Sequence, residues 1–305
     1  MKSNFFVLFF LTLSSLLQAA GGQDSSESTG GKPLVFTANY PLYYLCLSYA
    51  GDSVEMIWPF DEGEDPAFWE PEDEDIRILQ GADLLILNGA GYDKWLEYSF
   101  IDTGKTVDSS RRFRDTFIET DRSGSHSHGG GDIHDHGGTA FTLWLDLSQY
   151  SRQAEEVHKA LVKLLPRDEE TLKERHRVMS DRIEALDRDF RAAAEQYEDT
   201  PLLGSHPVYQ YFARAYNLEI HSLLLEPDVY PSEKDWKDLA QMKALYGADL
   251  MIWEGEPLPE TRSTLEEMGI GWFVISPGFN MPEEGDFMGL LEKNLRALKN
   301  RGTGQ

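Results

Sequence analysis

A single cysteine, Cys46, stands among 305 residues, and that scarcity excludes any internal disulfide framework. A lone thiol well inside the chain is most simply a small buried apolar residue. Basic residues are scarce too: 28 lysines and arginines against 53 acidic residues give a formal charge of −25. A nucleic-acid backbone would be repelled by such a chain, so DNA and RNA drop out as partners. The same acidity serves solubility and colloidal repulsion before it serves any particular cation. Beyond the N-terminus no stretch approaches the ~20 apolar residues that a spanning helix needs. The motifs of common catalytic sites are also missing: there is no G-x-S-x-G, no G-x-x-x-x-G-K-[ST], no G-x-G-x-x-G and no H-E-x-x-H. Acidic runs such as Glu70 to Asp75 read as solvated surface in so acidic a chain. An enzyme reading therefore has little to stand on.

What the chain does have begins with Lys2, an apolar run from Phe5 to Leu13, and Leu16-Leu17-Gln18-Ala19-Ala20. Residues 1–20 read as a cleavable signal peptide, too short in its apolar part to remain as an anchor. Ala20 is followed by Gly21-Gly22 rather than cysteine, so the expectation is a periplasmic protein without a lipid anchor. Residues 21–32, Gly/Ser-rich and polar, read as a flexible tether.

From Pro33 onward short apolar runs alternate with helical patterns. Leu34–Thr37, Val54–Ile57 and Leu84–Leu87 form one set; Pro201–Leu203, Ile220–Leu224, Leu250–Trp253 and Trp272–Ile275 form another. Such alternation predicts α/β layers with mostly parallel sheets, and two sets predict two lobes. Gly81-Ala82-Asp83-Leu84-Leu85-Ile86 recurs as Gly247-Ala248-Asp249-Leu250-Met251-Ile252, which fits a duplicated lobe. Between the sets, Leu172, Met179, Ile183, Leu186, Phe190 and Tyr197 recur at helical spacing, with Pro166 and Pro201 at the ends. This stripe fits either an intramolecular spine or a coiled-coil seam, and its place between two α/β lobes favours the spine. The expected division is an N-terminal lobe at 33–165, a long linking helix at 166–199 and a C-terminal lobe at 200–305.

Two features carry possible metal chemistry. Residues 124–138 hold His126, His128, His134 and His136, four of the eight histidines. Imidazole is a good ligand for Zn²⁺, and two His-x-His pairs joined by glycines could bend round one ion, as a weak and adaptable site. The alternative is a polar loop with incidental histidines. His206, in Leu203-Gly204-Ser205-His206-Pro207, lies just past an apolar run, where a strand end delivers side chains to a crevice. A lone histidine is more often structural than a ligand.

Several segments in order resemble the zinc/manganese solute-binding proteins of bacterial ABC importers. They include Thr37 to Leu42, Asp65-Pro66-Ala67-Phe68-Trp69-Glu70-Pro71 with Asp75-Ile76, Trp144-Leu145-Asp146, and Ser205-His206-Pro207 with Tyr211 to Tyr216. The resemblance runs from Pro33 to about Leu298. It implies two lobes with parallel sheets joined by one rigid helix, a metal ion held in the cleft between them, and docking on an ABC permease in the inner membrane. The cargo it implies is Zn²⁺, with Mn²⁺ possible, and neither an organic cofactor nor a stable oligomer is expected. Three ligand positions of that family are changed: Ala67 and Thr142 stand where histidines are expected, and Ser276 where a carboxylate is expected. His206 remains, and Glu70 or Glu254 are the carboxylates placed to substitute. The metal contacts are therefore expected mainly from the His-rich loop. The alternatives are a degenerate relative that binds another ligand or acts as a transporter partner, and an enzyme on the same scaffold.

Overall fold

The N-terminal sheet starts with β1 (Leu34–Thr37), whose apolar side chains are buried on both faces as a central parallel strand requires. Asn39 then caps α1 (Tyr40–Ala50) by accepting the Leu42 N–H, with Pro41 in the first turn. β2 (Glu55–Ile57), α2 (Asp73–Gly81), β3 (Leu84–Leu87) and β4 (Thr106–Asp108) follow. A reciprocal capping box between Glu72 and Asp75 opens α2. All pairings are parallel, in the order β2-β1-β3-β4. This computed structural model describes residues 31–120, 125–128, 132–135 and 138–301. The expected signal peptide, most of the tether and His136 lie outside the described residues.

Two small antiparallel pairs come next. β5 (Glu119–Thr120) pairs with β8 (Gly138–Thr139), and β6 (Ser125–His128) pairs with β7 (Asp132–Asp135). The backbone of the His-rich segment is thus a ribbon over these strands. α3 (Leu147–Leu164) is capped by Asp146 and runs back along α4 (Glu169–Ala194). At about 1.5 Å per residue, the 26 residues of α4 span about 39 Å. Its buried stripe, Leu172, Met179, Ile183, Leu186 and Phe190, packs on α1, α3, α5 (Gln210–Tyr216) and α8 (Phe287–Asn300) of the same chain. The apolar face is therefore filled internally, as a spine. The helical pattern closes a turn earlier than its last apolar residue, since Glu195–Tyr197 tighten into a 3₁₀ turn.

The C-terminal sheet repeats the first topology. β9 (Leu202–Gly204), β10 (Ile220–Ser222), β11 (Leu250–Trp253) and β12 (Gly271–Val274) pair in parallel in the order β10-β9-β11-β12. α6 (Glu233–Tyr246) opens on a Ser232/Asp235 capping box and stops at Gly247, whose φ of 68° a glycine adopts without strain. α7 (Pro259–Glu267) precedes β12. The repeated Gly-Ala-Asp thus precedes the third strand of each sheet. The described residues from Lys32 onward form one compact unit, and a continuous core joins Val35, Leu85 and Trp144 to Tyr209, Phe273 and Leu298. Hydrogen bonds stitch the two halves: Trp144 Nε1 donates to the Pro277 carbonyl at 2.7 Å, and the Tyr40 N–H to the Phe279 carbonyl at 3.0 Å.

Candidate metal-binding site

In a parallel sheet whose strand order runs outward in both directions from one gap, the loops leaving the carboxyl ends on either side of that gap open a crevice. In the C-terminal lobe the gap lies between β9 and β11. The loop after β9 carries His206, the loop after β10 carries Glu226, and the loop after β11 carries Glu254. Ser205 holds these three loops together. Its N–H donates to the Ile252 carbonyl at 2.8 Å, its carbonyl accepts from the Leu225 N–H at 2.9 Å, and its hydroxyl accepts from the Glu254 N–H at 3.3 Å. Gly204 lets β9 and β10 approach, since a Cβ there would meet Ser222 Oγ at 2.6 Å.

The result is a converging donor set. His206 Nδ1 lies 3.3 Å from Glu254 Oε1, and His206 Nε2 lies 3.4 Å from Glu226 Oε1. One ligand atom from each of the three residues falls within 4.8 Å of the others. The His206 and Glu254 side chains are only 12% and 15% exposed. Burial pushes the Glu254 carboxyl up to about 8, and the nearby Glu226, Asp65 and Asp228 carboxylates add to the rise. Asp65, from the N-terminal lobe, is raised by burial to about 6, against the opposing pull of hydrogen bonds from the Ala67 N–H and the Tyr92 hydroxyl. Oxygen and imidazole donors so crowded together suit a divalent cation, which would relieve the repulsion among them.

The remaining positions singled out from sequence fall elsewhere. Thr142 is buried and spends its hydroxyl on the Val208 carbonyl at 2.6 Å, bracing one lobe on the other where the resemblance called for an imidazole. Ala67 is a buried methyl that donates its N–H to Asp65 Oδ1. Ser276 is clamped through its backbone by Asn294, at 3.0 and 2.8 Å. Of the two proposed substitutes, Glu254 reaches His206, while Glu70 is exposed. Glu226 was not foreseen. It stands four residues beyond β10, and only the adjacency of β10 and β9 brings it to His206. In the His-rich segment the strand register sets His126 opposite His134 and His128 opposite Asp132. At the corresponding strand ends of the N-terminal lobe, after β1 and β3, Asn39 Nδ2 donates to Asn88 Oδ1 at 3.1 Å, and Gln153 Nε2 donates to Asn88 Oδ1 at 3.1 Å and Ser109 Oγ at 2.9 Å.

Comparison with known proteins agrees with this architecture. The chain is similar to the zinc-binding lipoprotein AdcA of Streptococcus pneumoniae, with 23% identity over 287 residues, covering 90% of this chain and 57% of that protein. It therefore spans little more than half the length of the streptococcal relatives it matches. It is also similar to the high-affinity zinc uptake system protein ZnuA of Bacillus subtilis, with 24% identity over 316 residues and 96% of each chain covered. The crystal structure of Zn(II)-bound AdcA from S. pneumoniae superposes with a TM-score of 0.74 at 20% identity, over 90% of this chain and 59% of that one, which establishes a shared fold. One expectation is corrected by these relatives. A periplasmic protein, freed by its signal peptide and lacking a lipid anchor, was expected from the want of a cysteine after Ala20. A close counterpart in fold is named a lipoprotein. A missing cysteine next to one apolar run is too local a signal to fix where the chain resides. Residues 35–301 match the family described as zinc-uptake complex component A periplasmic, and on this match the chain belongs to that family of metal-binding solute-binding proteins.

Proposed function

We propose that this chain is the solute-binding component of an ABC-type uptake system for a divalent metal ion, zinc or manganese, and that it takes the ion on His206, Glu226 and Glu254. The observation that carries the reading is the convergence of these three side chains, from three neighbouring strand ends, to within 4.8 Å. The His-rich segment, through His126, His128, His134 and His136, serves as a second and weaker set of contacts. The delivery partner is an ABC permease, and the chain acts as a monomer without an organic cofactor. Its working parts are the lobes at 33–165 and 200–305 with the linking helix at 166–199 between them. The rigid helix limits lobe closure, so ion release follows modest tilts and loop movements.

A second reading draws on Ala67, Thr142 and Ser276: a relative that has lost its ion and binds another ligand or acts on the transporter. Titration calorimetry with Zn²⁺ and with Mn²⁺ separates the two. In the chain carrying alanine at His126, His128, His134 and His136, the uptake reading expects one equivalent bound with heat that disappears on His206→Ala, because removing the site's one imidazole leaves two carboxylates against full hydration of the ion. Absence of binding by either ion, or binding indifferent to His206→Ala, would refute it.

A further inference from the structure

We infer that the stacked imidazoles of His158 and His176 form a pH-sensitive latch between α3 and α4, closed while both rings are neutral and loosened when acid charges them. The inference concerns the frame of the molecule and stands apart from what the cleft binds.

His158 lies on α3 and His176 on α4, and their rings are stacked with centroids 4.5 Å apart and planes 7° from parallel. Tyr49, fully buried near the end of α1, stands perpendicular to both, with ring centroids 5.5 Å from His176 and 6.4 Å from His158. Its hydroxyl lies 3.2 Å from His176 Nδ1, and its carbonyl accepts from Arg175 Nη1 at 2.7 Å. Three helices thus meet on two imidazoles, the side chain whose charge ordinarily changes between about pH 5 and 8.

Neutral rings stack readily, whereas two charged ones would place like charges 4.5 Å apart in a half-buried site. An added proton also lacks an acceptor at one ring, because His158 Nε2 is buried without a hydrogen-bond partner. Burial, helped by the Lys159 ammonium, keeps His158 from charging until below the usual 6.5. His176 is lowered by burial first and by His158 next. The charged groups that act on the pair come from the two helices themselves. On α3 they are Glu155 and Lys159, which pair with each other at 2.5 Å; on α4 Glu169 acts on His158, while the Arg175 guanidinium is turned to Tyr49. From α1 the Tyr49 phenol faces the rings. Glu155 pulls both rings upward and Glu169 pulls His158 upward, yet the net effect on each ring is downward.

A ring held neutral in the fold and free to ionise when exposed gives stability above pH 6.5 that is lost as pH falls through 6.5 toward the folded value. The same linkage governs local opening of the junction, which exposes the rings to water. The open population then grows by up to about tenfold per pH unit for each ring. Because α4 is the spine, the softening falls on the frame that joins the lobes.

The test follows the full chain by histidine ring NMR and by amide hydrogen exchange along 154–161 and 172–180, from pH 7.5 to 5.5, with rates corrected for their intrinsic pH dependence. His158→Phe keeps a flat ring in the stack, removes one titrating group and loses no hydrogen bond at Nε2. His176→Gln, which keeps a polar end for the Tyr49 hydroxyl, serves if the first variant folds poorly. In the parent both rings gain their protons below pH 6.5, and opening of the junction increases at least about threefold by pH 5.5, against a ceiling of about tenfold for one ring. In His158→Phe that increase shrinks by about half or more, and His176 titrates at a higher pH than in the parent, since a neighbouring charge is gone. A purely structural role would lower protection alike at every pH and leave His176 where it was. Rings that titrate at or above 6.5, a smaller increase in the parent, or an increase that persists in full in the variant overturns the inference.

Discussion

Glu254→Gln removes one charge from the cleft and leaves the side-chain shape in place, so it separates a ligand from a structural prop. The carboxyl rises from an ordinary 4.5 to about 8 in the fold, chiefly through burial. Such a raised acid weakens the fold as pH climbs from 4.5 to 8, because the unfolded chain ionises freely while the folded chain must stay protonated or bear a buried charge. Below 4.5 the penalty is absent. At about 1.4 kcal/mol per pH unit the ceiling at pH 7 is about 3 kcal/mol. The lost contact with His206 returns about 1 kcal/mol of that. A net gain on the order of 1–2 kcal/mol remains, which raises the melting temperature of the ion-free protein by roughly 2–8 °C. The gain is largest near pH 8 and fades toward pH 4.5. With ion at 100 times the dissociation constant, the parent protein gains about 2.7 kcal/mol, roughly 5–10 °C, and the variant gains none. Scanning calorimetry in chelator and in excess Mn²⁺ or Zn²⁺, from pH 5 to 8, gives all four curves. A variant that melts lower than the parent in chelator at pH 8, or that keeps the ion-induced shift, would refute the argument.

Three further expectations bear on the segment with four histidines and on the frame. Alanine at His126, His128, His134 and His136 together lowers the number of Zn²⁺ equivalents bound, measured by equilibrium dialysis, and leaves one equivalent that still depends on His206. Trp144→Phe strands the Pro277 carbonyl, which now accepts the indole N–H at 2.7 Å, and costs about 1–3 kcal/mol in urea unfolding. Phe190→Ala opens a cavity where α4 meets Phe212 and Tyr216, with ring centroids 5.9 and 5.3 Å away, and costs about 3–5 kcal/mol by the same measurement.

The fold was legible where burial writes a pattern. Leu84-Leu85-Ile86-Leu87 and Leu250-Met251-Ile252-Trp253 are continuous apolar runs because parallel strands are covered on both faces. β4 escaped notice, since Thr106-Val107-Asp108 offers one apolar residue in three and is recognisable only by its pairing with β3. At the site, His206 and Glu254 could be suspected because each follows an apolar run directly. Glu226 also follows an apolar run, Leu223-Leu224-Leu225, but nothing in that stretch records that β10 lies beside β9 and so brings it to His206. The changed residue Thr142 was visible as a missing histidine, yet its bond to Val208 depends on two lobes meeting, which no local pattern encodes.

The repeated topology makes the two crevices comparable, and their chemistry differs in a way that bears on transport. In the N-terminal lobe the strand ends at the gap present Asn39 and Asn88, which share one hydrogen bond and are met by Gln153, while the Asp93 carboxylate accepts from the Asn88 and Gly89 N–H groups. In the C-terminal lobe the equivalent strand ends present His206 and Glu254, an imidazole and a carboxylate 3.3 Å apart. An ion held as proposed, on His206, Glu226 and Glu254, would draw these three ligands from one lobe. On that proposal the affinity is set by the C-terminal loops, and a dependence on lobe closure has to pass through contacts between the lobes, such as the Thr142 hydroxyl on the Val208 carbonyl. A measured coupling between ion binding and lobe separation that is lost in Thr142→Val would place the link at the Thr142 to Val208 bond, and one that survives it would exclude that bond.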